Sequence, residues 1–186
     1  LYSQGFNPQP RLVFSPPLPV GITGTGEYLD IWLEKEVNIA EMTHALNGTL
    51  PSGIKVIAAK AVSDDRRFLP LPGVNLFLYS VDLEMTEKDK AGAAVETIRQ
   101  GRKFPGRKKT KQGYKEIDFQ PYIMDLALSE KGEGLALKMF VAFNEKGTVR
   151  PDDVLTAMGI SPDGKLIKRE EIFFRQGNRL RTPMEP

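Results

Sequence analysis

The chain has 186 residues, of which 40% are hydrophobic and 27% charged, and its formal net charge is +2, the balance of an ordinary globular protein. The absence of cysteine excludes disulfides, thiolate zinc sites and iron–sulfur clusters held by this chain, and the single histidine leaves no histidine-rich metal site. We therefore expect no metal and no cofactor. No apolar run approaches the roughly 20 residues that cross a bilayer, and no secretion signal is evident, so a cytoplasmic location is expected.

The stretch from Gly5 to Gly21 is rich in proline and glycine around a short apolar strand, Leu12–Phe14. Proline fixes the backbone and reduces the entropy lost on ordering, which suits a preformed binding surface. The polar side chains beside it, Asn7, Gln9 and Arg11, are candidate contacts for a ligand or a partner. The alternative is structural, with a turn cap, a solvated amide and an arginine paired with a nearby carboxylate.

The elements that follow in the first part of the chain predict the order β-β-α-β. Residues 27–36 alternate like a half-buried strand, which predicts a hairpin with the opening strand. Asn38 is a good N-cap for a helix with apolar residues at helical spacing, and Glu41 lies three residues further on. The helix should end near Gly48 or by Pro51, and residues 54–59 read as another strand.

The second part predicts the order β-α-β-β-α-β. Its strands cover residues 74–85, 119–129, 134–144 and 166–174, the middle two forming a hairpin. Thr86 is the predicted cap of the first helix, whose apolar face carries Ala91, Ala94, Val95 and Ile98. Pro151 opens the second helix, and the tail after Gly177 is expected to fray.

This order of elements predicts an α+β fold of two tandem ferredoxin-like, split βαβ units with antiparallel sheets. The expected organisation is a partial first unit at 1–63, a connector at 64–73, a second unit at 74–176 and a tail at 177–186. The first unit lacks a strand and a helix, and the chain starts at Leu1, so we expect a truncated N-terminus. The alternative is one mixed sheet without internal pseudo-symmetry.

A basic run extends from Arg99 to Lys115 without a single carboxylate. Concentrated charge of one sign can grip a phosphate backbone, and Phe104 and Tyr114 could stack on bases. The alternative is a loop whose charges are simply solvated. The predicted nucleic-acid-binding residues are Arg102, Lys103, Arg107, Lys108, Lys109, Lys111, Tyr114 and Lys115.

Three motifs resemble a bacterial family of domains of unknown function that is associated with radical SAM proteins. The family's opening GFNPHPRLSF, PLPVG and GEY-hydrophobic-D correspond to Gly5–Phe14, Pro17–Gly21 and Gly26–Asp30. The later segments Lys115–Ile123 and Arg150–Leu155 are also similar. The resemblance implies a further strand and basic helix upstream, and a radical SAM partner often encoded among genes of RNA and ribosome metabolism.

Two positions depart from the family pattern. Gln9 replaces its usual histidine, and Gln120 replaces the arginine before Pro-Tyr-Ile. Glutamine hydrogen-bonds but cannot titrate, so this chain lacks any acid–base or ligand role those residues would have.

We expect a non-catalytic accessory or substrate-binding domain that works with a radical SAM enzyme, in RNA or ribosome-related modification. This chain cannot itself hold the three-cysteine cluster of that chemistry, since it has no cysteine. One alternative is an RNA-processing or RNA-modifying enzyme using Asp30, Asp118 or Tyr122 as acid–base residues, an analogy of fold only. Another is a purely protein-binding module that docks through the opening loop.

Overall fold

The computed structural model describes residues 11–62, 71–110, 113–145 and 147–185. Within these ranges the chain forms an α+β structure with three α-helices and both mixed and antiparallel sheets. The strands are β1 Leu12–Phe14, β2 Thr23–Gly24, β3 Leu29–Ile31, β4 Leu76–Leu83, β5 Pro105–Thr110, β6 Gly113–Asp118, β7 Ile123–Lys131, β8 Gly134–Ala142, β9 Lys168–Gln176 and β10 Arg179–Arg181. The α-helices are α1 Ile39–Thr49, α2 Lys88–Arg99 and α3 Pro151–Ala157, and short 3-10 turns cover Leu71–Gly73, Met85–Glu87 and Gln120–Tyr122.

The main sheet has six strands, in the order β10-β9-β4-β8-β7 with β2 added beside β9. All its pairs are antiparallel except that of β2 with β9. Alternate side chains of β4 and β8 point into one core, because successive residues of a strand face opposite sides. The predicted hairpin of β7 and β8 is confirmed, with Lys131 opposite Gly134 next to the turn.

Helix α2 covers one face of this sheet. Its buried side chains are the four predicted from helical spacing: Ala91, Ala94, Val95 and Ile98. The predicted cap is wrong in detail, because a 3-10 turn precedes the helix and contains Thr86. The N-cap residue of α2 is Glu87, and its side chain makes no capping bond to the helix. Its Oε2 instead accepts a hydrogen bond from the backbone N–H of Glu84 at 2.8 Å, as part of a capping box on the 3-10 turn.

Helix α3 begins at Pro151, as predicted, and buries Val154 and Leu155. It packs beside β5, which starts the hairpin inserted between α2 and β7. Without that hairpin, the order from β4 to β9 is the predicted β-α-β-β-α-β.

The first part of the chain forms a smaller sheet of β1 and β3, paired antiparallel as predicted. Helix α1 follows, and its Asn38 N-cap is confirmed: the side-chain oxygen accepts hydrogen bonds from the N–H groups of Ala40 and Glu41 at 2.9 and 3.3 Å. No residue of α1 is buried. The apolar surface of this part is therefore largely uncovered within the residues that the structure describes.

Residues 54–59, predicted as a strand, are irregular in the structure, so that prediction is wrong. The side chain of Asn47 instead binds the backbone of Val56 on both sides, accepting from its N–H at 2.8 Å and donating to its C=O at 3.1 Å. Ile54 and Ile57 are 61% and 78% exposed, so burial does not favour a strand there.

The tail was expected to fray, and that is wrong for residues 179–181. A two-residue loop beginning at Gly177 returns the chain, and Arg179 lies opposite Gln176 in β10–β9. Gly177 has a φ of 60°, which glycine adopts at little cost at the first position of such a turn.

The opening stretch joins the main sheet through β2, far along the sequence from its partner. The N–H of Thr23 donates to the C=O of Ile167 at 3.1 Å, and that of Thr25 to the C=O of Arg169 at 2.9 Å. A Cβ atom on Gly26 would lie 2.3 Å from the carbonyl oxygen of Glu170, so only glycine permits this approach. The predicted connector at 64–73 lies mostly outside the described residues, which resume at Leu71.

Candidate nucleic-acid interface

The later part of the basic run lies in a β-hairpin, formed by β5 and β6. Residues directly opposite in an antiparallel pair project to the same face. Lys109 is opposite Tyr114, and Arg107 is opposite Glu116. One face of the hairpin therefore presents two cations and an exposed aromatic ring, together with the carboxylate of Glu116.

Tyr114 is 65% exposed. The guanidinium carbon of Arg107 lies 5.8 Å from the centre of its ring, which is within range of a cation–π contact. An exposed ring held by cations can stack on a base while the cations contact the phosphates.

The opposite face of the hairpin places Lys108 directly across from Lys115. Like charges in this position destabilise a strand pair, and a bound polyanion would relieve that repulsion. The Lys108 amino group lies 5.7 Å from the centre of the Tyr122 ring, so it is held against the body of the domain.

Two further predicted residues, Arg102 and Lys103, lie exposed in the loop that leads from α2 into the hairpin. Lys111 lies outside the described residues. The remaining predicted cations, Arg107, Lys108, Lys109 and Lys115, are on the hairpin itself. The fold thus places the described residues of the predicted nucleic-acid-binding set on the hairpin or in the loop that leads into it.

Phe104 was predicted to stack on bases, and the structure contradicts this. Its side chain is only 6% exposed and belongs to the main core. Its C=O accepts a hydrogen bond from the N–H of Phe119 at 2.8 Å, which ties the two ends of the hairpin together. Phe104 therefore anchors the hairpin, and Tyr114 is left as its exposed ring.

Gly106 sets how closely the hairpin lies on the core. A Cβ atom there would lie 2.3 to 2.5 Å from the ring of Phe119, which is fully buried. We expect Gly106→Ala to lower the free energy of unfolding by about 1–3 kcal/mol, measured by urea denaturation. Gly92→Ala is the matched control: it adds a methyl group in helix α2 with nothing within 4 Å, and should be neutral or stabilising. Equal effects of the two substitutions would contradict the close packing.

Asp118 was an acid–base candidate, and its carboxylate has a structural task in the hairpin base. Its Oδ1 accepts hydrogen bonds from the backbone N–H groups of Phe104 at 2.9 Å and Gln120 at 3.0 Å. Asp118→Asn keeps an oxygen for these donors, whereas Asp118→Ala leaves two N–H groups without it. We expect the free energy of unfolding of the alanine variant to be about 1–3 kcal/mol lower than that of the asparagine variant, measured in thermal or urea melts. Equal stability of the two variants would refute this structural role.

Asp30 is half-buried in β3, and burial raises the pKa of its carboxyl group. It lies opposite Val13 in the small sheet. Tyr122, the third acid–base candidate, belongs to the 3-10 turn after Asp118. The small sheet and the hairpin base are separate elements, so these candidates do not belong to one strand pair.

Of the predicted opening contacts, Asn7 and Gln9 lie outside the described residues. Arg11 is exposed, and its guanidinium carbon lies 4.7 Å above the ring of Trp32. The structural alternative pairs Arg11 with a carboxylate, whereas the contact found is a cation–π stack on the ring of Trp32, the residue that follows β3.

Arg169 is a structural centre that the sequence reading missed. Its side chain is 1% exposed, and its Nε donates to the Glu27 carboxylate at 2.7 Å while a terminal nitrogen contacts the second carboxylate oxygen. The same guanidinium donates to the carbonyls of Pro16 and Pro17 at 2.8 and 3.4 Å. Burial lowers the pKa of this group, but the hydrogen bond and charge of Glu27 outweigh burial and raise it overall.

Arg169 also lies 5.1 Å from the centre of the Phe77 ring, on β4. It therefore joins the proline-rich stretch to the main sheet. The available sequence signal was weak: Arg169 is two residues after the apolar Ile167, and so on the same face of the strand.

A cleft of about 610 Å³ opens at the base of the hairpin. Its lining is mainly apolar and aromatic, with a few amide and carboxylate groups. The lining residues are Asn75, Ile117, Asp118, Pro121, Tyr122, Phe143, Asn144 and Glu145.

The described residues contain no group of three or more histidine, aspartate or glutamate side chains placed to hold a metal ion. None of the helices in the described ranges has the length and apolarity needed to span a membrane.

The fold and its projecting basic hairpin define an α+β domain with a positively charged surface and an open aromatic cleft. Residues 1–151 match the model of a family described as "Uncharacterized protein conserved in bacteria (DUF2344)", and the chain belongs to that family. No curated protein and no solved structure gives a significant match to the chain.

Proposed function

We propose that this chain is a non-catalytic accessory domain that binds RNA through the β5–β6 hairpin and presents it to a radical SAM enzyme in the cytoplasm. The observation that carries the RNA part is the hairpin face on which Arg107 and Lys109 flank the exposed ring of Tyr114. Cations on a projecting strand pair can follow a phosphate backbone, and the ring offers a base a stacking surface.

The radical SAM part of the proposal rests on the resemblance of the opening and later motifs to a radical-SAM-associated family. The finer description of the fold also belongs here. The order β4-α2-β7-β8-α3-β9 and its antiparallel sheet support a ferredoxin-like second unit. The small sheet with α1 would then be an incomplete first unit.

A purely protein-binding role has one observation in its favour. In the β1–β3 pair, Leu12 is opposite Ile31 and Phe14 is opposite Leu29, and all four side chains are at least 38% exposed. Four large apolar groups on one face of a two-stranded sheet form a surface that a protein partner could cover. In the accessory role, this face would receive the radical SAM protein and leave the basic hairpin for RNA.

The test of RNA binding is filter binding or fluorescence anisotropy of the purified protein with short RNAs, across a series of salt concentrations. We expect affinity that falls linearly on a logarithmic salt scale, because bound cations displace counterions. Absence of binding even at low salt would overturn the proposal. Pull-down with sequencing of bound RNA and mass spectrometry of bound proteins tests the enzyme partner, and absence of a radical SAM protein would leave only the RNA-binding role.

A further inference from the structure

The cleft at the base of the hairpin lies between four segments that meet there. They are the end of β6, the 3-10 turn Gln120–Tyr122, the chain that leaves β8 and the residue before β4. Its volume of about 610 Å³ is in the range of sites that bind small ligands. It is therefore large enough for one nucleobase.

Two aromatic rings line this cleft, those of Tyr122 and Phe143. The Phe143 ring is held from behind by Phe77, whose ring centre is 5.6 Å away. Tyr122 and Phe143 both pack against the main core, so their positions are set before any ligand arrives. A planar base could stack on such a surface without reordering it.

The polar groups of the lining differ in what they already bind. Both ends of the Asn75 amide are engaged by the backbone of Arg175, at 3.0 and 2.7 Å. Asp118 uses Oδ1 for two backbone N–H groups. Glu145 is exposed and has no hydrogen bond or ion pair with another residue in the described ranges, so its carboxylate can accept hydrogen bonds from a ligand.

An ionised carboxylate only accepts hydrogen bonds. The ligand edge that it prefers is therefore one with adjacent donors, which among the RNA bases is the N1–H and 2-amino edge of guanine. The carboxylates of Asp118 and Glu145 also repel phosphate from the cleft.

The hairpin directs a backbone past this cleft. Lys108 approaches Tyr122, and its amino group is 3.4 Å from where a Cβ atom of Gly147 would lie. A cation thus lies next to two segments that bound the cleft. Phosphates bound to the hairpin would meet its cations, and a base with hydrogen-bond donors would meet the carboxylates of the cleft.

We propose that this cleft binds one unstacked guanine of the RNA, with its ring against Tyr122 and Phe143 and its donor edge on Glu145. The inference rests on the proposed RNA-binding function and adds a base preference to it. Charge on the hairpin supplies general affinity, and the cleft supplies discrimination.

The test compares three short uridine-rich RNAs that differ at one central position: guanosine, inosine, which lacks the 2-amino group, or an abasic site. We expect the native protein to bind the guanosine RNA about tenfold more tightly than the abasic RNA, since base stacking contributes on this scale. Glu145→Ala should remove the preference of guanosine over inosine. Glu133→Ala removes the same charge in the turn before β8, at the opposite end of that strand, and should keep the preference.

The outcomes separate the two proposals. Equal affinity of the native protein for the guanosine and abasic RNAs would overturn the cleft proposal while the hairpin function stands. So would a preference for guanosine over inosine that persists in Glu145→Ala. If the native protein binds none of the RNAs at low salt, both proposals fail. Loss of the preference in Glu145→Ala with unchanged affinity for the abasic RNA would support the guanine site.

Discussion

Replacing Arg107 and Lys109 by glutamate is expected to weaken RNA binding by about a hundredfold or more at low salt. Both side chains are exposed on β5, next to the ring of Tyr114. The double substitution turns two attractive phosphate contacts into repulsive ones, and neither residue contributes to the core. The folded state should therefore survive, which circular dichroism and a urea melt would verify before binding is measured.

The alanine version of these substitutions gives a quantitative check. Removing two phosphate contacts to a single strand should reduce the slope of log K against log salt by about 1.4. Tyr114→Leu should lower affinity through loss of stacking while leaving that slope unchanged. A slope that does not change in the alanine double variant would show that these cations do not contact phosphates.

The matched control for charge is Lys35→Glu with Lys55→Glu. Both lysines are exposed in the first part of the chain and outside the hairpin, and the pair changes the net charge by the same amount. If this control weakens RNA binding as strongly as the hairpin variant, the effect is one of overall charge and the hairpin has no special role.

The second large effect is expected for stability. Glu27→Gln should reduce the free energy of unfolding by about 3 kcal/mol, because it leaves the buried guanidinium of Arg169 without its counter-charge. The Glu27 side chain is about one-third exposed at 34%, so the loss is placed at the low end for buried pairs. Urea denaturation measures it.

Arg169→Met removes the cation and leaves a carboxylate that water can still reach, so we expect a smaller loss than in Glu27→Gln. Asp82→Asn is the control, because its ion pair with Lys131 joins side chains that are 69% and 61% exposed. Such a pair contributes less than about 1 kcal/mol. Losses of similar size in Glu27→Gln and Asp82→Asn would mean that the Glu27–Arg169 pair contributes no more to stability than an exposed ion pair does.

Amide hydrogen exchange would locate the structural consequence. The N–H groups of Thr23 and Thr25 donate to the backbone of residues 167 and 169 only while β2 lies on β9. Glu27→Gln should raise their exchange rates more than those of β7 and β8, because the Glu27–Arg169 pair is a buried side-chain link at this junction.

Local patterns were enough for the elements whose stability is local. Asn38 caps α1 through a side chain two and three residues from its donors, and the apolar face of α2 repeats at helical spacing. The β7–β8 hairpin joins strands that follow each other directly. The motifs also indicated a bacterial family of unknown function, and the family model that matches residues 1–151 is of that kind.

The predictions that failed depended on contacts that capping motifs and the spacing of apolar residues do not reveal. Residues 54–59 have strand composition, but Asn47 takes the backbone of Val56 and no buried face forms. Phe104 looked like part of an exposed basic run until Phe119 closed the hairpin base over the core. Residues 179–181 looked like a free tail until the edge of β9 offered hydrogen bonds.

By itself, therefore, the sequence determined the α+β class, the positions of the helices and of the main hairpins, and the concentration of cations between Arg99 and Lys115. Only the tertiary structure decided that those cations form a two-faced hairpin above an aromatic cleft, and that Arg169 holds the proline-rich opening stretch through Glu27. The physical reason is range: caps and periodicity act over a few residues, whereas β2 meets β9 across a separation of 145 residues, from Thr23 to Lys168. Contacts of that length depend on burial and charge pairing in the whole fold, which no local pattern contains.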